Sequence, residues 1–81
     1  MIGDSDGEAL LRRVPAYGEE SNEDVILRTW GEIKALDHSG YERMSIQPIF
    51  ADKPETYSLI RFVKIDGRIR ADYRGATIWV T

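Results

Sequence analysis

The stretch Tyr57-Ser58-Leu59-Ile60-Arg61-Phe62-Val63-Lys64-Ile65-Asp66-Gly67-Arg68-Ile69-Arg70-Ala71-Asp72-Tyr73-Arg74-Gly75-Ala76-Thr77-Ile78-Trp79-Val80-Thr81 decides the fold. It holds three β-rich runs separated by Asp66-Gly67 and Arg74-Gly75. Asp-Gly is a favoured two-residue hairpin turn, because both central residues of a type I′ turn need positive φ. A two-residue loop at 66–67 sets Lys64 opposite Ile69, Phe62 opposite Ala71 and Ile60 opposite Tyr73. A second loop at 74–75 sets Ala71 opposite Ile78 and Ile69 opposite Val80. Both turns then agree on one apolar face made of Ile60, Phe62, Ile69, Ala71, Tyr73, Ile78 and Val80. The other face places Arg61 against Asp72 as a cross-strand ion pair, and Arg70 beside Trp79 as a cation–π contact. Leu59, Val63, Ile65 and Trp79 leave that second face too apolar for plain solvent, so more protein or a partner is expected to cover it.

The signal weakens upstream of Tyr57. Met44, Ile46 and Phe50 alternate, but Pro48 interrupts them, which confines this run to an edge strand or an irregular segment. Ala51–Thr56 and Asp37–Gly40 read as loops. Residues 22–37 support two readings. On a helical wheel Val25, Ile26, Leu27, Trp30, Ile33 and Leu36 share one side, and Ser21-x-x-Asp24 resembles a cap. Against a helix stand Val25, Ile26, Thr29, Trp30 and a central Gly31, which fit a strand bent at the glycine. Residues 1–24 read as an acidic arm. Within it, Ser5-x-x-Glu8 fits a capping box ahead of a two-turn helix over Ala9–Val14, stopped by Pro15.

Composition narrows the classes. Eighty-one residues allow one domain, and 42% hydrophobic with 31% charged residues is ordinary for a globular chain. With no cysteine there is no disulfide scaffold, thiolate zinc site or thiol nucleophile. Apolar runs reach only three or four residues, so no membrane-spanning segment is expected, and no basic-then-apolar leader opens the chain. The formal charge of −3 is uneven. Residues 1–24 carry seven acids and two bases, net −5; residues 25–56 carry five and four, net −1; residues 57–81 carry two acids and five bases, net +3. That balance gives no reason to expect tight duplex DNA binding.

Nothing in the sequence argues for an enzyme, a metal or a cofactor. Asp37-His38-Ser39 has the letters of a catalytic triad, but adjacent loop residues rarely place three side chains in relay geometry. Glu19-Glu20 and Glu23-Asp24 read as solvated acids or helix-start charges. There is no GxxxxGK[ST], GxGxxG or HExxH pattern. A basic-aromatic sheet of Arg61, Lys64, Arg68, Arg70 and Arg74 with Tyr57, Tyr73 and Trp79 keeps a small-barrel nucleic-acid binder among the alternatives.

Residues 29–81 resemble the head–tail joining proteins of long-tailed phages, also called connector or stopper proteins. Trp30-Gly31-Glu32-Ile33-Lys34-Ala35-Leu36 stands where that family has a W-A-E-I-x-P-L pattern. Ser39-Gly40-Tyr41-Glu42 follows as the serine-glycine turn, and Thr56–Phe62 as the threonine-led strand. Ile65–Ile69, Tyr73-Arg74-Gly75 and Ile78-Trp79-Val80 follow as the remaining turns and strands. The resemblance implies that 25–36 is a long strand bent at Gly31. The acidic start departs from the family's basic first strand. The end at Thr81 leaves the closing strand missing or supplied by a neighbour.

The expected architecture is therefore a mainly β barrel or sandwich of four to six antiparallel strands, with an arm at 1–24 and a β domain at 25–81. The alternative is an α+β fold with one helix at 22–37 on a three- to four-stranded antiparallel sheet. By resemblance, the expected role is a structural ring subunit in the virion neck, made in the bacterial host cytoplasm. It would lie between the portal or adaptor and the tail proteins, with DNA passing through unread and no membrane involved. Arg61, Arg70, Trp79 and Trp30 are the expected interface residues. Pro48, Phe50, Asp52 and Lys53 lie on the loop expected to face the channel. A small inhibitor of a host protein is the other class left open.

Overall fold

The computed structural model describes residues 8–16, 20–36, 38–50 and 58–81. Its elements run β1 (Glu8–Ala16), α1 (Asn22–Ile33), β2 (Tyr41–Phe50), β3 (Ile60–Ile65), β4 (Arg68–Tyr73) and β5 (Ala76–Trp79). The five strands form one sheet in sequence order, β1-β2-β3-β4-β5. The fold is mainly β, and the sheet is open rather than closed into a barrel.

The C-terminal meander follows the turn chemistry. Asp66 and Gly67 have φ of 51° and 80°, and Arg74 and Gly75 have 50° and 89°. Two consecutive positive-φ residues at each turn are what a type I′ hairpin requires. The register is Phe62↔Ala71 and Lys64↔Ile69 across β3–β4, and Ala71↔Ile78 across β4–β5. Val80 N–H then donates to the Ile69 carbonyl at 2.9 Å, which carries the pairing one step past β5.

The start of the fold differs from the sequence reading. Residues 8–16 are neither arm nor helix. They form an edge strand pairing parallel to β2, from Leu10↔Met44 to Ala16↔Phe50. Val14 and Ala16 are buried by this pairing, and Leu10 packs against the core. The proposed cap at Ser5 lies outside the described residues, and Pro15 sits on an edge strand, where a missing N–H is tolerated. The division at residue 24 falls inside α1.

A parallel pair needs a crossover, and α1 is that crossover. The bent strand over 25–36 is thus overturned in favour of the amphipathic pattern. Ser21 caps the helix, its Oγ accepting from Asp24 N–H at 3.2 Å, and Glu23 and Asp24 sit favourably in the first turn. Val25, Ile26, Thr29 and Ile33 are buried on the sheet side, where packing outweighs their modest helix propensity. This single helix layer covers the face on which a barrel would have folded back.

Gly31 is exposed, and among the described residues nothing beyond its own helix backbone and chain neighbours lies within 4 Å of where a Cβ would sit. A mid-helix glycine costs about 1 kcal/mol against alanine. Gly31→Ala is therefore expected to raise the calorimetric Tm by about 4–8 °C. A lowered Tm would contradict the helix.

The core lies between α1 and one face of the sheet. It gathers Val14, Ile26, Ile33, Met44, Ile46, Ile60, Phe62, Ala71 and Tyr73 with their neighbours. β2 is a central strand, not an edge, because β1 flanks it. Pro48 is accommodated there because the β2–β3 ladder ends at Ile46↔Ile60, two residues earlier.

Candidate functional site

Strand alternation sends every second side chain to the face that α1 does not cover. The ladders align these into rows. One row crosses all five strands: Ala9↔Arg43, Arg43↔Val63, Val63↔Arg70 and Arg70↔Trp79. The next row runs Leu11↔Ser45, Ser45↔Arg61, Arg61↔Asp72 and Asp72↔Thr77. Arg13 and Arg68 stand on the same face by the same alternation. Among the described strand residues this face carries five arginines (Arg13, Arg43, Arg61, Arg68, Arg70) and one acid (Asp72), net +4, on a chain of net −3.

The polar contacts on this face rearrange the pairings expected from sequence. Arg61 and Asp72 are cross-strand neighbours, but Asp72 does not pair with Arg61. Its Oδ1 accepts from Thr77 Oγ1 at 2.7 Å, and its Oδ2 lies 3.7 Å from Arg70 Nη2. Thr77 wins because it stands directly opposite on β5 with a short hydroxyl. Arg70 and Trp79 are likewise direct partners, yet the guanidinium over the ring belongs to Arg68, 4.3 Å from the centroid. Arg68 reaches diagonally, and its Nε donates to the Thr81 carbonyl at 3.3 Å. Arg70, drawn toward Asp72, leaves its own Nε buried without a partner.

Two open grooves flank Arg61, which lines both. One, of about 400 Å³, is bounded by Ser58, Leu59, Asp72, Arg74 and Thr77. The other, of about 310 Å³, is bounded by Ala9, Arg43, Ser45 and Val63. Trp79 is 44% exposed and Leu11 69%, so apolar surface is interleaved with the arginines. Backbone strain accompanies the first groove: Arg74 holds a φ of 50°, a conformation usually left to glycine or asparagine.

Arg61, Arg70 and Trp79 are therefore brought onto one face, and Trp30 is not. Trp30 is half-buried on α1, its ring 5.8 Å from that of Phe62 and 5.6 Å from that of His38. His38 is thus a packing partner, and its carbonyl accepts from Lys64 Nζ at 3.0 Å. Pro48 and Phe50 belong to β2 rather than to a loop. Pro48 is fully buried, so it faces no channel, and Phe50 packs against the core. Asp52 and Lys53 lie outside the described residues. Sequence reasoning missed Arg43, because Pro48 obscured the alternation Arg43, Ser45, Gln47 that the strand displays.

Among the described residues, no group of three or more His, Asp or Glu is placed to hold a metal ion, and no helix is long and apolar enough to cross a membrane. No family model matches this chain, and no curated protein and no solved structure matches it.

Proposed function

We propose that this protein is a non-catalytic binding protein that docks on an acidic protein surface through the helix-free face of its sheet. The observation that carries this reading is the row Arg43–Val63–Arg70–Trp79, at the centre of a net +4 face on a net −3 chain. Arginine and tryptophan around apolar side chains are the residues that dominate protein interfaces. Single-stranded nucleic acid is less well served. Stacking platforms use several exposed aromatics, and among the described residues this face offers Trp79 alone, already covered by Arg68.

Fluorescence anisotropy with labelled polyglutamate, polylysine and a dT oligonucleotide tests the reading. Polyglutamate is expected to bind more tightly than the oligonucleotide and to weaken as salt rises, and Arg61→Glu to weaken its binding but not that of polylysine, which meets the acidic residues elsewhere on the chain. Tighter binding of the oligonucleotide would move the protein to the nucleic-acid class. Absence of binding to either anion at low salt would overturn the reading.

A neck-ring subunit between portal or adaptor and tail is the second reading. The order of β3–β5 and the Tyr73-Arg74-Gly75 turn favour it. The helical Trp30–Ile33 stretch departs from it at the pattern on which the resemblance leaned most. Closed rings in negative-stain images of the purified protein would support it; uniformly monomeric particles would count against it.

A further inference from the structure

We infer that the acidic surface this face accepts is carried by a second copy of the same chain: the outer side of α1 in one copy lies across the helix-free sheet face of the next. The inference rests on the docking role proposed for that face and names its occupant.

Among the described residues α1 covers one face of the sheet only; an antiparallel face can stand in water when it is polar, but this one sets Leu11, Val63 and Trp79 among its arginines. The chain itself holds a complementary surface. On the outer side of α1, Glu23 and Asp24 are exposed around Leu27, which is 52% exposed, and Glu32 is exposed on the other flank of the helix. Arg28 is engaged by Glu20, and among the described residues Lys34 has no ion-pair partner. An acidic helix surface with an apolar centre thus faces away from the sheet, and a basic sheet surface with an apolar centre faces away from the helix. Gly31 lies one turn beyond Leu27 on that side, and among the described residues no other part of the chain comes within 4 Å of where its Cβ would sit. A glycine there lets an opposing surface come close to the helix backbone.

Charge also sets the geometry. Two net +4 faces repel, so a two-fold sheet-to-sheet dimer is disfavoured. Helix on sheet is a head-to-tail contact, which either closes into a ring or continues as a filament.

The test uses the full chain and two charge-reversed variants in sedimentation velocity. Wild type is expected to form species larger than a dimer at about 100 μM in low salt, and to dissociate at about 0.5 M salt. The face variant, Arg61→Glu with Arg70→Glu, and the helix variant, Glu23→Lys with Asp24→Lys, are each expected to be monomeric. Mixed in equal amounts, they supply one intact helix surface and one intact sheet face, so the mixture is expected to associate where neither variant does alone. Because Arg70 Nε is buried, Arg61→Glu alone replaces the face variant if the double change unfolds the chain. A wild type that stays monomeric throughout, or a mixture that does not associate, overturns the inference. If wild type is monomeric yet polyglutamate still binds, only the identity of the partner falls; if neither is seen, the docking face falls with it.

Discussion

Phe62→Ala is expected to cost about 3–5 kcal/mol of stability, whereas Val63→Ala, one residue on, costs about 1 kcal/mol or less. Phe62 is fully buried, pairs with Met44 and Ala71 on the adjacent strands and faces the Trp30 ring. Removing its ring opens a cavity where helix and sheet meet, and Ala71 is too small to fill it. Val63 stands on the opposite face, half-buried between Arg43 and Arg70. A domain of this size sits near the low end of the usual range of about 5–15 kcal/mol, so Phe62→Ala leaves little folded protein in reserve. Urea denaturation followed by circular dichroism measures both variants. Equal losses would mean that the two faces are not distinguished as the alternation requires.

Trp79→Ala is expected to weaken polyglutamate binding by about 30-fold, while changing the free energy of unfolding by about 1 kcal/mol or less. Trp79 closes the arginine row at β5 and is 44% exposed, so its truncation opens no cavity in the core. The lost stability is chiefly the stacked Arg68, which remains tied to the Thr81 carbonyl. Anisotropy titration and thermal unfolding on the same sample separate the two effects. Loss of the cooperative unfolding transition would instead make Trp79 part of the core. Unchanged binding would remove it from the docking face.

The parts of this fold that were legible in the sequence are those set by local chemistry. Asp66-Gly67 and Arg74-Gly75 determine the turns, and the turns determine which of Phe62, Ala71 and Ile78 meet. The helix was also legible, in the spacing of Val25, Ile26, Thr29 and Ile33 after Ser21. Likeness to the connector pattern at Trp30–Leu36 argued against it, and the burial of an amphipathic face prevailed. β1 was not legible. Ala9–Val14 suits a short helix in isolation, and only pairing with β2, some 34 residues away at Leu10↔Met44, makes it a strand. Such a contact leaves no mark on the local pattern. The same distance hid part of the candidate site. Arg61, Arg70 and Trp79 follow from the hairpins alone, whereas Arg43 and Leu11 join them only once β1 and β2 are in place. The exchange of partners around Asp72 was hidden for a different reason. Cross-strand register fixes neighbours, but side-chain length and a competing hydroxyl decide which neighbour bonds.

The most direct test of the docking face is a two-dimensional amide NMR titration of the chain with polyglutamate, at a dilution where sedimentation shows monomer. Shift changes are expected to centre on Arg43, Arg61, Val63, Arg70 and Trp79, with Leu27 and Glu32 on α1 unmoved. Changes confined to α1 or to the turns, with that row silent, would contradict the docking face.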